Sequence, residues 1–128
     1  ASLRAYGLAY HSTLSAFYGG DLKTICSRAF TSCPGLSHVE IPSVETIGSY
    51  AFYSCGYLQS VSSPSLLTIE TRAFDNCALL TNIDAPNTVS IGDYAFNSCM
   101  SLPSIVMPSL ETVGLYALAD CRNLATFS

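Results

Sequence analysis

At 128 residues the chain is long enough for one ordinary domain and too short for two, so any function sits on a single folded unit. Charged residues make up 11% of it, against a usual share of roughly 25%, which leaves Ser, Thr, Asn and Tyr to build the surface. The net charge is -4, and the five basic residues (Arg4, Lys23, Arg28, Arg72 and Arg122) are scattered. Without a basic stripe to release counterions, nucleic acid is excluded as a partner and anionic membranes are disfavoured. No apolar run approaches the roughly 20 residues of a membrane span, so no membrane insertion is expected. The opening Ala1-Ser2-Leu3-Arg4 has neither an initiator Met nor a signal-peptide layout, and reads as a mature form or a piece of a longer chain.

Self-similarity decides the architecture. A shift of 22 residues superposes IGSYAFYSCGYL from Ile47 on IETRAFDNCALL from Ile69 and on IGDYAFNSCMSL from Ile91, with no gap. The same phase runs back through ICSRAFTSCPGL at Ile25 to the weaker LRAYGLAYHSTL at Leu3, and forward to VGLYALADCRNL at Val113. The single array over 1–128 therefore has six copies, beginning near 3, 25, 47, 69, 91 and 113, the last incomplete. One column reads Leu8, Phe30, Phe52, Phe74, Phe96 and Leu118, preceded by Gly7 and then by Ala29, Ala51, Ala73, Ala95 and Ala117. The leucine column (Leu14, Leu36, Leu58, Leu80, Leu102, Leu124) has no exception. One copy cannot bury its own apolar face, so neighbours must stack around a shared core.

Within each copy, the stretch Leu36, Val39, Ile41 and Pro42 alternates as a strand does, with Val39 and Ile41 inward and the proline closing the strand. An apolar pair such as Val44 and Ile47 then turns the chain. The segment onward to the Cys column reads as a short helical turn, because Ala51, Phe52 and Cys55 share one helical face. The expected fold is a repeat solenoid with a parallel β-ladder, short strands and short helical turns, of α/β class.

The pattern I-G-x-x-A-F-x-x-C-x-x-L-x-x-I-x-x-P resembles that of the BspA-like, or Treponema pallidum-type, leucine-rich repeats along the whole chain. The resemblance implies a leucine-rich repeat solenoid, extracellular or cell-surface localisation and adhesin-like binding of a protein or glycan. The first copy departs most, with His11 in the Cys column and Gly19-Gly20 where Ile-Pro would stand.

Six cysteines in a short chain would ordinarily suggest a disulfide framework. Here Cys33, Cys55, Cys77, Cys99 and Cys121 form one column, so they line up on successive rungs about 4.8 Å apart with parallel Cβ vectors, too wide at Cβ for a disulfide. Buried free thiols are expected, acting as small hydrophobes with weak S–H donors. Cys26 lies outside the column and is the reactive candidate. A zinc site has only His11 beside Cys33 in its favour, and no CxxC or HxxxH spacing; no metal or cofactor is expected.

Catalysis finds no support. His11 and His38 lie in different columns, and no G-x-S-x-G, phosphate-binding loop or metal signature accompanies them. Glu40 and Asp84 share a column two rungs apart, roughly 10 Å, beyond even the separation of an inverting glycosidase pair. The position before the Ala alternates Tyr6, Arg28, Tyr50, Arg72, Tyr94, Tyr116, which could stack guanidinium on phenol along one edge or simply cover the core.

The strand's outward positions form two variable columns. Their residues Tyr18, His38, Glu40, Ser60, Asn82 and Asp84, with Tyr53 and Tyr57 nearby, are the candidate binding residues, since Tyr and Ser suit adaptable contact at low entropy cost. Two functions follow: an adhesin-like interaction module, or a structural subunit that stacks head-to-tail through uncapped repeat ends into a fibre or shaft.

Overall fold

The computed structural model describes residues 2–4 and 6–128. Among these, twelve short strands alternate along the chain: β1 (Ser2–Leu3), β2 (Ala16–Tyr18), β3 (Thr24–Ile25), β4 (His38–Glu40), β5 (Thr46–Ile47), β6 (Ser60–Ser62), β7 (Thr68–Ile69), β8 (Asn82–Asp84), β9 (Ser90–Ile91), β10 (Ser104–Ile105), β11 (Thr112–Val113) and β12 (Thr126–Phe127). Every pairing is parallel and joins residues 22 apart, such as Val39 with Val61 and Ile47 with Ile69. The chain is a six-rung β-solenoid in which each repeat makes one turn.

The even-numbered strands are those that the alternation marks out. Val39, Val61 and Ile105 point inward and are buried, while His38, Glu40, Asn82 and Asp84 point out. The ladder β2-β4-β6-β8 is separate from the β10-β12 pair. The break falls where Pro103 stands in a column whose other members, Gln59 and Thr81, donate N–H groups to the preceding rung. A proline has no such donor.

The odd-numbered strands form a second, continuous six-stranded ladder. They occupy the Val44–Ile47 stretch and its equivalents, where a simple change of direction is expected from sequence. Their inward isoleucines (Ile25, Ile47, Ile69, Ile91) are buried and their outward partners are all Ser or Thr.

The third side corrects the sequence expectation of helical turns: no helix occurs among the described residues, and each rung carries a run of tight turns there. Two residues per rung are left-handed without being glycine, among them Tyr50 (φ 60°), Ser54 (57°), Arg72 (56°) and Asn76 (64°). A left-handed residue breaks an α-helix, and each costs roughly 1–2 kcal/mol in an L-amino acid. What it allows is an alternation of amides. The N–H groups of Ala51, Tyr53 and Cys55 bond within the rung, to Gly48, Tyr50 and Phe52, whereas those of Tyr50, Phe52 and Ser54 reach Thr71, Ala73 and Asp75 on the next.

Inside, the rings of Phe30, Phe52, Phe74 and Phe96 stack at 5.0, 5.1 and 5.2 Å with planes within 5° of parallel. Phe17 closes one end of this stack edge-on at 4.8 Å. The small Ala column beside the rings lets the backbone of that side approach, and both columns are fully buried in the middle rungs. Gly48 and Gly92 serve the same close approach, since a Cβ on either would sit 2.7 Å from a backbone nitrogen of the rung before.

Two stability outcomes follow. Phe74→Ala, which empties the middle of the stack, should cost roughly 3–5 kcal/mol in a denaturant titration; an unchanged midpoint would mean that the ring is not core. Ser98→Val places a β-branched residue, for which positive φ is an outlier, at a left-handed position (φ 58°) and should lower the midpoint more than Ser98→Ala does. A Val variant as stable as the Ala variant would remove the left-handed turn from the account.

Candidate interaction surface

The outward side chains of β2, β4, β6 and β8 make two columns on one sheet face. Ala16, His38, Ser60 and Asn82 are registered neighbours in one, and Tyr18, Glu40, Ser62 and Asp84 in the other. Parallel strands bring side chains 22 residues apart to within about 4.8 Å, so this face is assembled entirely by the repeat. A shallow depression of about 410 Å³ lies on it, lined by Tyr18, His38, Glu40, Ser60 and Asn82 together with the strand backbones. A second depression carries Asp84, Ser104 and Val106, and the two share Asn82.

Six of the eight candidate residues therefore meet on one surface. Tyr53 and Tyr57 line neither depression. Tyr53 lies in the turn side and packs edge-on against Tyr50 at 5.3 Å, and Tyr57 is exposed just beyond the Cys column.

His38 Nδ1 lies 2.7 Å from Ser60 Oγ, which fixes the imidazole along the column and leaves its other nitrogen to solvent. Neither Glu40 nor Asp84 has an ion-pair partner among the described residues, whose two ion pairs are Arg72–Asp75 and Arg122–Asp120. No Lys or Arg lines either depression. The face thus mixes apolar and polar side chains and carries weakly acidic, unneutralised charge.

A different edge carries the Tyr and Arg column. The Arg28 guanidinium lies 4.1 Å from the centre of the Tyr50 ring, Arg72 lies 4.0 Å from that of Tyr94, and Tyr94 stacks on Tyr116 at 5.3 Å. These contacts run along the solenoid axis, so the ring faces are used between rungs, for roughly 0.5–1 kcal/mol each where exposed. Arg72 also pairs with Asp75, a buried carboxylate that accepts a further hydrogen bond from Asn97 Nδ2 at 3.1 Å. The ion pair, first of all, holds the Arg72 guanidinium above its usual range.

All six cysteines are free thiols. The column donates rather than merely fills space: Cys55 Sγ to the carbonyl of Phe30 at 3.0 Å, Cys77 to Phe52 at 3.2 Å, Cys99 to Phe74 at 3.2 Å, with Cys33 and Cys121 bonded alike. Burial pushes the Cys77, Cys99 and Cys121 thiols up. The neighbouring Cys33 thiol first, and burial after it, push Cys55 up, while the Cys55 thiol in turn draws Cys33 down. Among the described residues no group of three His, Cys, Asp or Glu side chains is placed to hold a metal ion.

The model of the BspA-type leucine-rich repeat region matches residues 15–128 with six copies. The chain belongs to the BspA-type leucine-rich repeat family. Among solved structures, the leucine-rich repeat protein of T. pallidum is 29% identical and superposes with a TM-score of 0.88 over 98% of this chain and 62% of that one. A leucine-rich repeat protein from Bacteroides ovatus (22% identity, TM-score 0.71) matches over 98% of this chain and 39% of its own. A leucine-rich cell surface protein from Faecalibacterium prausnitzii (24%, TM-score 0.51) matches over 83% and 42%. The last two carry the fold alone, and this chain spans less than two thirds of each of the three. A search of curated proteins finds no match.

Under native conditions at mildly alkaline pH, iodoacetamide should modify the partly exposed Cys26 well before Cys55, Cys77 or Cys99, because alkylation needs an accessible thiolate. Peptide mapping that finds Cys77 labelled as fast as Cys26 would contradict the burial and bonding of the column.

Proposed function

We propose that this array is a non-catalytic, cell-surface interaction module that engages a protein or glycan through the face of its even-numbered strands. One observation carries the reading: the inward columns hold constant from rung to rung while the outward residues Tyr18, His38, Glu40, Ser60, Asn82 and Asp84 differ and converge on one continuous surface. A scaffold that fixes the position of each side chain and leaves its identity free is suited to recognition. The localisation is the one that membership of the BspA-type family suggests.

A second reading has its own support. Val113, Leu115, Tyr116 and Phe127 of the last rung are 47%, 71%, 65% and 45% exposed, an apolar surface suited to stacking against a further rung, including one from another copy.

The primary reading is tested by screening the protein against immobilised extracellular-matrix proteins and a glycan array. For any ligand found, the double substitution His38→Ala with Asn82→Ala should weaken binding by about tenfold or more. Thr46→Ala with Thr68→Ala, on the other ladder, should leave it unchanged. Equal losses in both variants, or none in the first, would remove the sheet face as the site.

A further inference from the structure

We infer that the sheet face takes an extended basic peptide in the polyproline II conformation, lying along the solenoid axis with Lys or Arg at every third position. The inference rests on the sheet-face reading above and names its partner. The column Tyr18, Glu40, Ser62, Asp84 sets an exposed aromatic ring beside two exposed carboxylates, with a hydroxyl between them. Both carboxylates lack an ion-pair partner among the described residues, and no Lys or Arg lines either depression.

Spacing then selects the conformation. Two rungs of a parallel ladder separate Glu40 from Asp84 by about 10 Å. A polyproline II helix has three residues per turn and rises about 3.1 Å per residue, so side chains at i and i+3 project from one face roughly 9.3 Å apart. A β-strand fails this test, because residues on one of its faces recur about 7 or 13 Å apart. An α-helix reaches the distance only at i and i+7 and arrives with its backbone already paired. Polyproline II has no internal hydrogen bonds, so its carbonyls need donors. The second column supplies them in the Asn82 amide and in the His38–Ser60 pair. Tyr18, 68% exposed at one end of the column, adds a ring of the kind that lines proline-recognising grooves and stacks on cations.

The test uses a fluorescein-labelled peptide of repeated Arg-Pro-Pro triplets, and a control of identical composition whose arginines are unevenly spaced, in a polarisation titration. The triplet peptide should bind about tenfold more tightly than the control and lose about tenfold on Glu40→Gln with Asp84→Asn. Its affinity should fall with added salt, while the variant keeps the parent's thermal midpoint. Equal binding of both peptides overturns the register, and triplet binding indifferent to the double variant overturns the site. If no triplet binding occurs but another protein or glycan ligand depends on His38 and Asn82, this inference falls and the sheet-face reading stands. If no ligand depends on those residues, both fall.

Discussion

The structure depends on a backbone register of 22 residues that is kept on every side of the rung, including the side that has no strands. On two sides the register is a parallel ladder. On the third it is the alternation of amides around Tyr50, Phe52 and Ser54, each bonded to the next rung, with Ala51, Tyr53 and Cys55 bonded within their own. Two left-handed residues per rung cost roughly 2–4 kcal/mol together. Three inter-rung hydrogen bonds return roughly 0.5–1.5 kcal/mol each, and the buried phenylalanine they hold returns about 1.5–3. The turn therefore persists because of its neighbours, and a single repeat would not adopt it.

That dependence explains the composition. Each rung leaves the Phe carbonyl with spare acceptor capacity at a place too crowded for water, and the cysteine of the next rung fills it, as Cys77 does for Phe52. A thiol is small enough for the site and still donates, which neither alanine nor valine can do. The Tyr and Arg column stands at the first left-handed position, and its side chains stack along the axis, Arg28 on Tyr50 and Arg72 on Tyr94. Buried hydroxyls also bond between rungs, Thr88 to the carbonyl of Leu66 and Ser63 to that of Ile41.

Much of this was legible in the sequence, since a 22-residue period aligns the columns without any knowledge of their conformation. Val39, Phe52, Leu58 and Cys77 are buried because their columns repeat. Conformation was harder to read where spacing was ambiguous. Ala51, Phe52 and Cys55 fit a helical face, yet the left-handed positions were marked only by Asn76 and Asp120, residue types enriched at positive φ. The second ladder escaped because two residues such as Thr46-Ile47 are too few to show alternation, although the unbroken Ser/Thr column was its signature. Tyr18, His38, Glu40, Ser60, Asn82 and Asp84 follow from strand alternation alone, whereas Tyr53 and Tyr57, outside the strands, line neither depression.

Native-state hydrogen exchange read at single amides decides whether the strandless side is tied rung to rung as firmly as the ladders. The amides of Phe52, Ser54 and Phe74 should exchange as slowly as those of Val61 and Ile69, through opening of the array as a whole. Exchange of those turn amides at the rate of a surface loop, with only the strand amides protected, would contradict that tie.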